Sequence, residues 1–423
     1  MSYRESLDYL YGLQRFGIKL GLDNINRILD RLCRPERSYV TVHVAGSNGK
    51  GSVCAGIASI LVQAGHKTGF YSSPHLHSFT ERIRIDGQQI SEAEAVELIA
   101  AVRSVSQDIP VTFFEFTTAM ALLHFQRQQV DVAILEVGMG GRLDATNAVQ
   151  PRITVVTPIC RDHSEHLGDG LAQIAGEKAG IIKAQTPLVV SAQPPEALSV
   201  LLERAAAVDS PVFLAGRDFF VEPAVPGFDY RGLDLRLLGL ECGLAGDHQQ
   251  HNMGVALAVA ELLARQGIAL SAAAMRQGVA AVSWPGRLEW WRQQREVLLD
   301  GAHNEGGAQV LAAYLDSLSV SGVRWVVAAK ANKDLEGILG PLLPRTKRLY
   351  CTVPPLENAV PAATIAGLAD AFGVPNGCYD TPAAALMAAL ADRRQGEILL
   401  VAGSLFLVAA ARELLQGLEG ETE

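Results

Sequence analysis

Short β-branched or aliphatic runs alternate with longer segments of helical period through most of the chain, and this alternation predicts a mostly parallel sheet covered by helices. The first clear unit runs from Thr41 to Phe70. An apolar strand, Thr41 to Ala45, leads through a glycine-rich turn into a helix with Val53, Ile57, Ile60 and Ala64 on one side. Gly65 then opens a new strand near Thr68 to Ser72, completing a βαβ crossover. Further strands are predicted at Val130 to Val137, Ile153 to Thr157 and Leu188 to Ser191, with helices over Glu115 to Gln126 and Leu171 to Ile181. From 217 to 245 the pattern breaks into short segments punctuated by glycine and proline, an irregular or antiparallel patch. Two helical stretches, His251 to Gln266 and Ser271 to Val282, precede the Trp284-Pro285-Gly286 breaker. The βα alternation resumes at Val297 to Asp300, with a helix at Glu305 to Leu318, strands at Val323 to Ala328 and Leu349 to Val353, a helix after Pro361 and a last strand at Glu397 to Ala402. The class is α/β, with domains expected at 1–285 and 297–423 joined by a linker at 286–296.

Composition narrows the function classes. A length of 423 residues allows two or three domains, and 49% hydrophobic residues are enough to fill their cores. Lys and Arg total 36 against 45 Asp and Glu, a net charge of −9 with no basic run, which argues against a surface that grips nucleic acid or anionic membrane. A small anionic substrate in a locally positive cleft is still compatible with that balance. Cys33, Cys54, Cys160, Cys242, Cys351 and Cys378 lie far apart without a CxxC pair, so neither a zinc ribbon nor a disulfide framework is expected. The first eleven residues lack the apolar stretch of a signal peptide, and the longest apolar run, Ile398 to Ala411, contains Gly403 and Ser404 and is too short to span a bilayer. A soluble, cytoplasmic chain is expected, and the absence of a surplus apolar face predicts a monomer.

Chemistry concentrates at four strand ends. Ala45-Gly46-Ser47-Asn48-Gly49-Lys50-Gly51-Ser52 sits between a predicted strand and a predicted helix. Glycines free backbone N–H groups for phosphate oxygens, the helix N-terminus adds partial positive charge, Lys50 supplies a full one, and Ser52 offers a hydroxyl to Mg2+. The run departs from G-x-x-x-x-G-K-[ST], since Val44 stands at the first glycine and Gly51 separates Lys50 from Ser52. The strand Asp131 to Glu136 leaves its acid at the carboxyl edge of the sheet, where open α/β folds assemble sites, so Glu136 is a candidate Mg2+ ligand. The next strand leads at the same edge into Arg161-Asp162-His163, and a neutral imidazole suits a divalent metal beside a carboxylate. Asp300-Gly301-Ala302-His303-Asn304 repeats the strand, turn, helix arrangement in the second domain.

The chain resembles the folylpolyglutamate synthases of the Mur ligase superfamily from about residue 10 to its end. The ordered motifs are the phosphate loop, Tyr71 to Leu76 with Thr80 to Arg84, Leu135 to Gly138, Gly140 to Asn147, Glu177 to Ile181, Trp284 to Arg287 and Asp300 to Asn304. This resemblance implies an N-terminal P-loop ATPase domain with a mostly parallel sheet and a smaller, Rossmann-like C-terminal domain. It also implies ATP-dependent amide formation through an acyl phosphate. By it, Ser52, Ser73, Glu136 and His163 are Mg2+ ligands, with two ions expected and a monovalent cation as a further candidate. Asn48, Gly49, Lys50, Gly51, Ser52, Asn252, Arg287 and Asp300 are ATP contacts. Lys50, Lys178 and His303 are the catalytic candidates, with Lys178 carbamylated, and Lys19, Leu20, Gly21, Leu22, Phe114, Glu115, Leu143, Asp144 and Ala145 form the pterin pocket. The Gly140 to Asn147 loop looks like that of bifunctional members, which join L-glutamate to dihydropteroate and also extend tetrahydrofolate and its polyglutamates. Ser47 replaces the commoner threonine, and Ala329 stands where glycine is usual before Lys330, Lys333 and Asp334.

Other readings are a folylpolyglutamate synthase alone, a Mur-type ligase acting on a UDP-linked substrate, and a P-loop ATPase switch working on a macromolecular partner. The phosphate loop begins at residue 46, leaving no room for a UDP-binding domain ahead of it in this sequence. A switch would leave Asp300 to Asn304 without a purpose.

Overall fold

In the larger sheet, strands β1 (Val40–Ala45), β2 (Thr68–Tyr71), β3 (Ile83–Ile85), β4 (Gln88–Gln89), β5 (Val132–Glu136), β6 (Ile153–Val156), β7 (Leu188–Val190) and β8 (Val212–Leu214) stand in the order β4-β3-β2-β5-β1-β6-β7-β8. The computed structural model describes residues 2–16, 21–162, 164–168, 170–291, 297–318, 320–356 and 358–420. Along the order from β2 to β8 every pairing is parallel, and at one edge β2–β3 and β3–β4 are both antiparallel. The central strands β1, β5 and β6 are buried along almost their whole length and mostly apolar, as in a sheet covered on both faces. The chain divides into two compact units. The first comprises Met1–Ile159, Leu167–Gly243 and Gln249–Ser283; the second comprises Cys160–His166, Leu244–His248 and Trp284–Glu423.

The punctuated stretch after residue 217 is an antiparallel sheet of β9 (Phe220–Pro223), β10 (Phe228–Arg231) and β11 (Arg236–Leu240). One buried carboxylate ties it to the helix Asp247–Arg265. Glu261 accepts hydrogen bonds from the Tyr230 hydroxyl at 2.6 Å and from the backbone N–H groups of Leu233, Asp234 and Leu235 at 2.9, 2.7 and 2.8 Å. Burial, followed by the charge of Glu261, raises the Tyr230 phenol and keeps it protonated as a donor. Glu261→Ala leaves these donors unpaired, and we expect a loss of about 3 kcal/mol or more in urea unfolding. A loss below about 1 kcal/mol would show that the turn is held by other means.

The second unit carries β12 (Glu289–Trp291), β13 (Val297–Asp300), β14 (Gly322–Val327), β15 (Thr346–Cys351), β16 (Asn376–Cys378) and β17 (Glu397–Ala402) in the order β12-β13-β17-β14-β15-β16. All are parallel except β12, which pairs antiparallel with β13. Part of the expected linker is therefore sheet: Glu289, Trp290 and Trp291 face Leu299, Leu298 and Val297. The strands bury alternate residues on opposite faces. Leu298, Trp325, Leu349 and Leu400 fill one core, and Leu299, Val326, Tyr350 and Val401 the other. Among the described residues, no helix is long and apolar enough to cross a membrane.

Candidate active site

The carboxyl edge of the larger sheet gathers the first set of residues. β1 ends at Ala45, and the helix Lys50–Gln63 begins five residues later, with Gly49 in a left-handed conformation (φ 82°) at its N-cap. Two glycines have no substitute in this turn. A Cβ on Gly46 (φ +146°) would lie 1.8 Å from Thr157 Oγ1, and one on Gly49 would lie 2.8 Å from Asn252 Oδ1. The N–H groups of Ser47 and Asn48 donate to the Pro158 carbonyl at 3.0 and 3.2 Å, which fixes the loop but spends those two donors. The first-turn amides from Lys50 to Ser52 have no intrahelical acceptor, as at any helix start, and face the site with the positive end of the helix dipole.

Side chains converge on the same loop. Lys50 Nζ donates to the carbonyls of Gly46 and Ser47, both at 3.1 Å, and Lys178 Nζ, buried on the helix Leu171–Ala179, donates to Gly46 at 2.9 Å. Ser52 is buried in the first turn, and Asn252 is buried on the helix Asp247–Arg265, donating to Gln249 Oε1 at 2.9 Å. Glu136 closes β5 opposite Val44 of β1 and is 6% exposed; its carboxylate accepts from the Ser73 N–H at 3.4 Å. Ser52, Ser73 and Glu136 thus offer two hydroxyls and a carboxylate, an all-oxygen donor set suited to a hard divalent cation. His163 lies outside the described residues.

The expected pterin residues are divided: Phe114 and Asp144 lie at this edge, whereas Leu22 lines a cavity at the opposite, amino-terminal edge of the sheet. Phe114 starts the helix Phe113–Arg127, and its ring lies so close over Gly138 that a Cβ there would meet it at 2.5 Å. Glu115 is occupied locally: with Thr112 it forms a capping box, its carboxylate accepting from the Thr112 N–H and hydroxyl, both at 2.8 Å. The spacing Thr112-x-x-Glu115 carried that signal in the sequence. Asp144 caps the 3-10 turn Ala145–Ala148 and accepts from the Met139 N–H at 2.9 Å. Burial raises its carboxyl, while these hydrogen bonds oppose the shift. Leu143, Gly21 and Leu22 are half-buried and Ala145 is buried; Lys19 and Leu20 lie outside the described residues.

Arg82 lies within the Thr80 to Arg84 motif, and no sequence pattern announced its burial. Its guanidinium is 8% exposed, donates through Nε to His75 Nδ1 at 2.8 Å and lies 5.1 Å from the centre of the Phe113 ring. Burial, reinforced by Arg82, pushes the His75 imidazole down to about 4, so it is a neutral acceptor. At the opposite, amino-terminal edge of the sheet a cavity of about 1070 Å³, lined in part by Arg34, Arg152 and Lys183, stands apart from the phosphate loop.

In the second unit, Asp300 at the end of β13 accepts from the Leu288 N–H at 2.9 Å and the Ala302 N–H at 2.8 Å, folding the Arg287 turn against its own strand end. His303 Nδ1 donates to the Gly301 carbonyl at 2.8 Å, and burial followed by Lys333 pushes the ring down to about 4, leaving Nε2 unprotonated. Lys333 now has a place: its Nζ meets Asp162 Oδ1 at 2.5 Å, and Asn304 Nδ2 donates to Asp162 Oδ2 at 3.2 Å.

Residues 44–260 match the Mur ligase middle domain, and residues 289–353 match the dihydrofolate synthetase C-terminal domain. The dihydrofolate synthase/folylpolyglutamate synthase of Bacillus subtilis is 34% identical over 98% of this chain and 99% of its own. The chain belongs to the dihydrofolate synthase/folylpolyglutamate synthase family. Its fold is shared at full length with two solved family structures. Escherichia coli FolC in complex with DHPP and ADP superposes with a TM-score of 0.92 at 32% identity, covering 99% of each chain. A bifunctional folylpolyglutamate synthase/dihydrofolate synthase with Mn, AMPPNP and L-glutamate bound gives 0.88 at 32%, covering 98% of each.

Proposed function

We propose that this chain is an ATP-dependent ligase that joins L-glutamate to dihydropteroate, giving dihydrofolate, and adds further glutamates to tetrahydrofolate and its polyglutamates. The observation that carries this reading is the shared sheet edge: a glycine-turned phosphate loop with Lys50, beside Ser52, Ser73 and Glu136, in a chain that matches this family from end to end.

A carboxylate is a poor acylating agent until one oxygen carries phosphate. Its oxygen attacks the γ-phosphorus of ATP, the bond to the β-phosphate oxygen breaks, and ADP leaves. The glutamate amine then attacks the acyl carbon, and phosphate departs from the tetrahedral intermediate. Phosphoryl transfer requires mostly positioning and charge neutralisation. Lys50 turns from its loop carbonyls to the β- and γ-phosphates, the amides from Gly49 to Ser52 cradle phosphate oxygens, and Asn252, Arg287 and Asp300 contact the rest of the nucleotide. Asn48 contributes its side chain, since its N–H is taken by Pro158. Ser52, Ser73, Glu136 and His163 hold Mg2+, which supplies further neutralisation of phosphate charge when bound. Two such ions and a monovalent cation belong to this reading. Lys178 as a carbamate keeps one N–H, so its bond to the Gly46 carbonyl is compatible with modification. His303, with Nε2 unprotonated, accepts a proton or hydrogen bond near the nucleotide. Phe114 stacks on the pterin and Asp144 accepts its N–H groups, with Lys19, Leu20, Gly21, Leu22, Glu115, Leu143 and Ala145 shaping the pocket. Arg82, a buried cation among aromatic rings, suits the carboxylate end of the same substrate. The protein works as a cytoplasmic monomer.

ADP release tests the proposal. Dihydropteroate plus L-glutamate and tetrahydrofolate plus L-glutamate are each expected to stimulate it, and excess EDTA to abolish it. Stimulation by neither overturns the reading; stimulation by the folate alone removes the dihydrofolate synthase activity.

A further inference from the structure

β1 hides a polar residue that the proposed chemistry does not use. His43 is fully buried, two positions before the strand delivers the phosphate loop, and its register neighbours are Leu135 on β5 and Thr154 on β6. Its Nε2 lies 2.8 Å from Thr146 Oγ1, and Thr146 Oγ1 lies 2.5 Å from Asp144 Oδ1. Asp144 Oδ1 also accepts from the Thr146 N–H at 3.0 Å, while its Oδ2 accepts from the Met139 N–H.

Proton counting fixes the direction of this chain of bonds. Backbone donors point at both oxygens of Asp144, an arrangement that favours the ionised carboxylate, which can only accept. The single hydroxyl proton of Thr146 is therefore donated to Asp144. The hydroxyl oxygen must then accept from His43, which places the imidazole proton on Nε2 and leaves Nδ1 bare. Among the described residues His43 Nδ1 is buried without a hydrogen-bond partner, so no acceptor draws the proton to that nitrogen. Burial, and then the charge of Lys183, pushes the ring down to about 3, which agrees with a neutral imidazole. Keeping a buried histidine with an orphaned nitrogen is costly where leucine would fit an apolar strand, and a positioning duty accounts for its presence.

We infer that His43 and Thr146 are positioning residues for dihydropteroate: through the relay His43 Nε2–H to Thr146 to Asp144 they hold the carboxylate in the one rotamer that receives the pterin N–H groups. The inference rests on Asp144 being a pterin acceptor, as proposed above. It adds that substrate affinity at this pocket is set from inside the sheet, 103 residues away along the chain.

Steady-state kinetics of four variants test it. Thr146→Val removes the hydroxyl and is expected to raise the KM for dihydropteroate about tenfold, the effect of one lost hydrogen bond to a charged group, with the KM for ATP unmoved. Thr146→Ser restores the hydroxyl and with it the parent KM. His43→Leu is expected to raise the same KM a few-fold, and His43→Gln, which carries an N–H near the Nε2 position, to return most of that loss. In the parent, 15N spectra of His43 should show the neutral Nε2–H form at pH 7. Equal rises in both KM values, failure of Thr146→Ser to rescue, or an Nδ1–H form would each overturn the inference. A parent protein with no pteroate-dependent ADP release would instead refute the proposed function, so the two failures are distinguishable.

Discussion

Lys50→Ala is expected to lower kcat/KM by at least about a thousandfold, some 4 kcal/mol of transition-state stabilisation, while the thermal unfolding midpoint stays within a few degrees. The two halves of this expectation have separate causes. The ammonium is the only full charge that the phosphate loop itself contributes, and its removal leaves the transferring phosphoryl group with backbone dipoles and metal. For stability the lysine does little: its Nζ caps two carbonyls of its own loop, it is half-buried, and alanine is a better residue for a helix start that already carries partial positive charge. ADP release and a melting curve on the same preparation decide it. Full turnover would show that the loop does not hold the phosphates, and a collapsed melting curve that the lysine is structural.

Gly46→Val should act in the opposite sense, through the fold first. The residue adopts φ +146°, and its missing Cβ is all that separates the loop from Thr157, whose Oγ1 would lie at 1.8 Å and whose carbonyl oxygen at 3.0 Å. Neither β1 nor the Thr157 turn can retreat without breaking the β1–β6 pairing and the Thr157 N–H bond to the Ala45 carbonyl at 2.8 Å. We expect a loss of about 3 kcal/mol or more in urea unfolding, together with loss of ATP binding. Gly176→Ala is the matched control: that glycine lies in the middle of the helix Leu171–Ala179 with open space around it, and alanine there should leave stability unchanged or raise it slightly. A stable Gly46→Val protein would mean the loop is more plastic than its contacts indicate.

The sequence made some of this legible and concealed the rest for definite reasons. The α/β class could be read because strands buried on both faces are continuously apolar, as at Glu397–Ala402, where strand bounds and expectation coincide. The strand, glycine turn and helix that carry Lys50 and Ser52 could be read because glycines between an apolar strand and a helical period mark such a junction. β12 was hidden behind the Trp284-Pro285-Gly286 breaker, since three residues of strand are too few to show a period. Glu115 and Asp144 illustrate a deeper ambiguity: an acidic side chain at a helix or turn start caps the backbone as readily as it binds a ligand, so the caps seen here and the proposed pterin contacts look alike in sequence. Contacts between distant positions left no local trace at all. Lys333 with Asp162 and His43 with Thr146 join segments 171 and 103 residues apart.

The Gly46 carbonyl receives Lys178 Nζ at 2.9 Å and Lys50 Nζ at 3.1 Å, so two amines share one oxygen at the mouth of the phosphate loop. If Lys178 carries a carbamate, as proposed, a pair of like charges becomes one of each sign without losing that N–H contact. The carbamate forms from the free amine and dissolved carbon dioxide, and only the unprotonated amine reacts. The gas would then act as an activator of this ligase: preparations degassed at low pH should start slowly and recover on addition of bicarbonate, with Lys50 untouched.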